Sequence, residues 1–123
     1  ANASFGVGIP DLKRIFNSAC LVALGTDNVM ANSPNMLREM EFTWKLYRGL
    51  YKDPGFDARM VLRAATVNGR KILGLPDNTI EEGNQADFIV TKPVKYATDP
   101  VLALVHRIGP SDIKEVVSPS YNR

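Results

Sequence analysis

Asp27, Asp87, Cys20 and His106 carry the side chains of this chain whose settings invite chemistry. Asp27 closes the run Cys20-Leu21-Val22-Ala23-Leu24-Gly25-Thr26-Asp27-Asn28, an apolar stretch that ends abruptly in a small residue, a hydroxyl and a carboxylate. A short apolar run bounded by turn signals predicts a strand buried on both faces, as in parallel sheets. A carboxylate just past such a strand stands at the end where parallel α/β folds build their sites. A second reading stays open, in which Asp27 merely caps the following turn through local hydrogen bonds. Asp87 comes after the turn at Gly83 and is expected to accept backbone N–H bonds there, a structural use of its charge. Cys20 is expected to be a small buried residue, since a cysteine nucleophile needs a histidine as its base. His106 is the sole histidine and falls near a predicted helix end, where the macrodipole favours a cation. A zinc shell needs several ligands, and no partner spacing accompanies it.

The elements that position these residues are read from the pattern of apolar and turn-forming positions. Residues 1–7 read as loop. Pro10 suits a first helical position, and Leu12, Ile15 and Phe16 then form an i, i+3, i+4 stripe in a helix reaching Ala19. The predicted strand Leu21 to Leu24 comes almost at once, a helix–strand alternation typical of βα folds. Ser33 as N-cap and Pro34 as first residue predict a helix from Pro34 to Tyr51. Met36, Leu37, Met40, Trp44, Tyr47 and Tyr51 fall on its broad apolar face, which reads as core. Lys52-Asp53-Pro54-Gly55 ends it. Asp57 caps a helix from Ala58 to Asn68, expected to bend at Gly69, continue through Arg70 to Leu73 and stop at Gly74 and Pro76. Ala86 to Thr91 reads as a strand, Asp99 and Pro100 open a helix from Val101 to Ile108, and Ile113 to Val117 reads as a final strand. Residues 118–123 read as a tail.

The run Leu24-Gly25-Thr26-Asp27 leads a series of motifs: Asn35-Met36-Leu37-Arg38-Glu39-Met40, then Ala64-Ala65-Thr66-Val67-Asn68-Gly69-Arg70, then Ile80-Glu81-Glu82-Gly83-Asn84-Gln85-Ala86-Asp87-Phe88-Ile89-Val90. In order and approximate spacing they resemble the C-terminal part of metal-dependent amidohydrolases of the cytosine deaminase, guanine deaminase and chlorohydrolase type. The resemblance runs from Asn2 to Val117 and carries no substrate signal.

The resemblance implies an α/β fold: the last strand and flanking helices of a (β/α)8 barrel over residues 1–75, and part of a small β-sandwich over residues 76–123. It implies metal-assisted hydrolysis of a C–N bond in a cyclic or amine-bearing small molecule, with a divalent metal, zinc or iron, at the barrel mouth. Asp27 matches the aspartate at the end of the last strand, and is the metal ligand and general base that the resemblance assigns to this chain. Thr26 and Asn28 are neighbours only. Asn2 falls in a segment that shapes the active-site rim in the family, and an ordered loop Asn without a role is an equal reading. Thr66 and Asn68 are assigned structural roles, and Gly83 and Asp87 a sharp turn into the sandwich.

Composition bounds the rest. The 123 residues suit one domain or a large piece of one. A net charge of +2 with scattered basic residues argues against nucleic acid and anionic membrane as partners. A single cysteine excludes an internal disulfide and fits a reducing, cytoplasmic setting. No apolar run approaches the roughly 18 residues of a membrane-spanning helix, and no basic start leading into an apolar stretch marks a signal peptide. The chain does not begin with Met, which suits a processed or excised piece.

The pattern departs from a complete enzyme of the resembled kind. The His-x-His pair and further histidines are absent, as are the first seven barrel strands, which need roughly 200 further residues. The expectation is therefore an inactive C-terminal portion of a hydrolase, holding no metal by itself. The alternative is a free-standing, non-catalytic α/β interaction module. In either case an isolated barrel strand with open edges is expected to drive self-association.

Overall fold

The computed structural model describes residues 1–77 and 79–119. The polypeptide forms helices α1 (Leu12–Phe16), α2 (Met36–Tyr51), α3 (Ala58–Ala65) and α4 (Val67–Ile72). Strand β1 (Phe88–Thr91), helix α5 (Pro100–Arg107), a 3-10 turn (Pro110–Asp112) and strand β2 (Ile113–Val117) complete it. No helix among the described residues is long and apolar enough to cross a membrane.

Among the described residues, side-chain oxygens start four of the five α-helices, α4 being the exception. Asp11, Asn35, Asp57 and Asp99 each accept a backbone N–H of the first turn, from Arg14, Arg38, Arg59 and from Val101 together with Leu102. The first two caps move the expected starts. Asp11 rather than Pro10 opens α1, and Asn35 rather than Ser33 opens α2. Helix α1 also ends at Phe16, short of Ala19, because the chain turns at Asn17 and the Ser18 hydroxyl bonds back to the Ile15 carbonyl. Helix α2 stops as expected: Lys52 is left-handed at φ 51° and its N–H closes on the Arg48 carbonyl.

The bend after α3 falls at Thr66 and not at Gly69. Thr66 has φ −127° and ψ −98°, and its hydroxyl donates to the Leu62 carbonyl at 2.7 Å. A threonine bonding back one turn competes with the helix ladder, which places the break there and leaves Gly69 inside α4. Gly74, at φ 66°, and Pro76 come after the end of α4 as read from the sequence.

The core is helical. Met40, Tyr47, Phe56, Ala58, Val61 and Val105 are buried together, with Leu12, Phe16, Leu24, Leu37 and Trp44 packed around them. Tyr47 and Phe56 stack with ring centroids 3.6 Å apart at 11°, and Phe16 meets Phe56 edge-on at 5.2 Å. Small residues of α3, Ala58 and Ala64, let α2 and α5 approach it closely. The aromatic stripe of α2 is thus core, as its spacing predicts.

The sheet is small. β1 and β2 run antiparallel with Phe88 opposite Val117, Ile89 opposite Val116 and Val90 opposite Glu115, and an irregularity between Val90 and Thr91 brings Thr91 opposite Ile113. β1 begins at Phe88, two positions later than expected. Leu21 to Leu24, read as a buried strand, belongs to no helix or sheet among the described residues, and Leu21 is 56% exposed. A parallel strand takes its hydrogen bonds from neighbouring strands. Here Leu24 N–H turns instead to the Ala64 carbonyl, at 2.8 Å, on α3. Cys20, expected to be buried, is exposed for the same reason: nothing among the described residues covers the start of this segment. The tail read over residues 118–123 falls largely on residues 120–123, outside the described residues.

Candidate active site

The segment that ends in Asp27 is fixed to the helices at two points. Besides the Leu24–Ala64 bond, the Asn68 side chain donates to the Val22 carbonyl at 2.8 Å. Leu24 packs against the core cluster. Beyond this clamp the chain reaches Asp27, whose φ of 55° puts it in the left-handed region. Aspartate tolerates that conformation better than most residues because its short polar side chain bonds locally. A compact turn comes next: Asn28 accepts Met30 N–H on its side-chain oxygen at 2.8 Å, and its carbonyl accepts Asn32 N–H at 3.1 Å.

Asp27 is exposed on the wall of an open cavity of about 380 Å³. Asn2 from the N-terminal loop, Gly25, Asn32, and Arg38, Glu39 and Thr43 of α2 line the same space. Asn32 donates to Glu39 Oε1 at 2.6 Å. Of the residues singled out in the sequence, the fold therefore brings Asp27 and Asn2 together. Sequence reasoning passed over Asn32 and Glu39 as partners. Their seven-residue separation, spanning the N-cap of α2, was the available signal, since a side chain before a cap can reach one in the first turn beyond it.

The other candidates lie apart. Asp87 pairs with Arg70 at 3.3 Å, which suits a structural role. His106 packs edge-on against Trp44 with ring centroids 4.2 Å apart, and Arg48 lies over the Trp44 ring at 4.7 Å. Burial pushes the His106 pKa down, Lys45 and Arg48 push the same way, and Glu41 opposes them. Neither residue shares the cavity of Asp27.

No cluster of three or more His, Cys, Asp or Glu side chains able to hold a metal ion exists among the described residues. A divalent ion needs several such donors, so these residues do not form a metal site on their own. What the cavity offers chemically is an accessible carboxylate, Asp27, directly beyond a firmly anchored segment, with a second carboxylate in its lining, Glu39, already engaged by an amide.

The family model of the amidohydrolase family matches residues 1–118. The chain belongs to the amidohydrolase family. It is similar to an uncharacterized protein of Methanocaldococcus jannaschii, 39% identical over 117 residues that cover 92% of this chain and 29% of that protein. It is similar to a putative aminohydrolase of Methanothermobacter thermautotrophicus, 40% identical over 113 residues covering 92% of this chain and 28% of the other. A 5-methylthioadenosine/S-adenosylhomocysteine deaminase of Acetivibrio thermocellus is 34% identical over 125 residues, covering 95% of this chain and 29% of the deaminase. The amidohydrolase chain thus spans less than a third of the length of these relatives. No solved structure matches it.

Proposed function

We propose that this amidohydrolase chain serves a protein that hydrolyses a C–N bond in a cyclic or amine-bearing small molecule, with Asp27 as its acid–base carboxylate. The observation that carries the reading is the placement of Asp27, left-handed and exposed on a shared cavity directly after a doubly clamped apolar segment. Family membership and the deaminase and aminohydrolase names of its relatives support it. In hydrolysis the water oxygen bonds to carbon, one proton of that water passes to the Asp27 carboxylate, and the proton is returned to the departing nitrogen, which leaves as ammonia or an amine.

Asp27 is also our proposed ligand for a divalent metal, zinc or iron, whose other donors come from outside the described residues. Such an ion supplies Lewis-acid polarisation when bound. In this reading residues 1–75 form the last strand and flanking helices of a (β/α)8 barrel, residues 76–123 belong to a small β-sandwich, and the protein is cytoplasmic. The β1–β2 pair and the run Leu21–Leu24 bonded to α3 and α4 support that division. The test is ammonia release by the complete protein from amine-bearing heterocycles, 5-methylthioadenosine first, with Asp27→Asn alongside. Full turnover by Asp27→Asn would refute the assignment.

The exposed Leu21 and the absence of any strand paired to Leu21–Leu24 among the described residues favour a second reading. There the chain is a non-catalytic module that self-associates through this extended segment, pairing it with that of a second copy. Light scattering on the 123-residue chain tests it: a monomer at high concentration removes the reading, whereas a dimer or larger species is expected of an isolated hydrolase portion as well and leaves ammonia release by the complete protein to decide.

A further inference from the structure

The Asp27 carboxylate keeps one position only if the chain is held on both sides of it. The clamp by Asn68 and Ala64 fixes the segment before Asp27. On the other side lies the turn 28–32, exposed at Asn28, Val29, Met30 and Ala31 and closed internally by bonds to Asn28. Such an exposed turn opens and swings readily about Asp27, whose left-handed backbone, easier for aspartate than for most residues, still depends on its surroundings. Among the described residues, the side-chain bond that ties the turn to the helical body is Asn32 Nδ2 to Glu39 Oε1, at 2.6 Å and partly buried. Its acceptor is a carboxylate, which strengthens it relative to a neutral pair. Glu39 sits in the first turn of α2, whose buried face carries Met40 and Tyr47 into the core. The acceptor is thus borne by a well-anchored element, and its negative charge is favoured near a helix N-terminus.

We propose that Asn32 and Glu39 form a strap that locks the turn 28–32 to α2 and so holds the Asp27 carboxylate in its working position. Both are positioning residues for Asp27, and this role rests on the functional reading given above.

The test uses the complete protein and two readouts, turnover and backbone amide exchange. Glu39→Ala removes the acceptor. Exchange should quicken at the amides of Ala31 and Asn32, and kcat should fall by about 10²-fold, the scale of a displaced catalytic group, with KM little changed. Glu39→Gln retains an oxygen that can accept from Asn32 and should restore most of both. Asn32→Ala breaks the bond from its other end and should reproduce Glu39→Ala, and it carries the test if Glu39→Ala does not fold. Unchanged exchange in the turn overturns the strap. Faster exchange with unchanged kcat overturns its positioning role. If instead Asp27→Asn retains full turnover, the functional reading itself has failed, an outcome distinct from either result at Glu39.

Discussion

The side-chain amide of Asn68 donates to the backbone carbonyl of Val22 at 2.8 Å, joining positions 46 apart in sequence. That bond and the Leu24–Ala64 bond are the hydrogen bonds that hold the run Leu21–Leu24 to the helices among the described residues. Asn68→Ala removes it from a partly buried site. The expected cost is about 1 kcal/mol, read as a lower urea midpoint with unchanged slope. A wild-type midpoint would mean that Leu24 alone anchors the segment.

Asp27→Asn and Asp87→Asn separate chemistry from structure. Asparagine tolerates the left-handed backbone of Asp27, so folding should be retained while turnover of the complete protein falls by about 10²–10⁴-fold, the usual worth of general-base help. Asp87 pairs with Arg70 where both side chains are about a third exposed. Its replacement should lower the melting temperature and leave the rate per folded molecule intact. Paired measurements of turnover and melting temperature check both variants.

Phe56 is stacked on Tyr47 and met edge-on by Phe16. Phe56→Ala should cost about 3–5 kcal/mol, the usual penalty for emptying an aromatic core position, and should abolish cooperative thermal unfolding if the chain is only marginally stable. A loss below about 1 kcal/mol would show that the helices collapse to fill the space.

Stability should fall on acidification in two windows. Burial lowers the His106 pKa, so the unfolded chain binds that proton first. The associated stability is present above the unfolded value of about 6.5 and is lost as pH falls through the folded one. His106→Phe keeps a ring against Trp44 and should flatten the dependence of melting temperature on pH below about 6.5.

The second window belongs to the capping carboxylates. Asp11, Asp99 and Asp112 are held below the usual carboxylate range, chiefly by backbone N–H bonds from Arg14, Leu102 and Gly109 respectively. Their contribution is present above about pH 4 and is lost as pH falls through their folded values. Asp99→Asn should reduce the drop in melting temperature below that pH; an unaltered acid limb would assign the effect elsewhere.

The sequence by itself determined the helical core, the cap residues Asp57 and Asp99, the stop at Lys52, and the existence of β1 and β2. Each depends on contacts within a few residues or on the spacing of apolar side chains along one element. It also singled out Asp27, because an apolar run ending in a carboxylate is a local pattern. What the apolar run Leu21–Leu24 would bond to was not local. Strand pairing depends on neighbours distant in sequence, and among the described residues the partners are Ala64 and Asn68 on the helices instead. The exposure of Cys20 has the same cause. Only the tertiary structure brought Asn32 and Glu39 to the wall that Asp27 occupies, because the turn 28–32 must fold back over the cap of α2 before those side chains can meet.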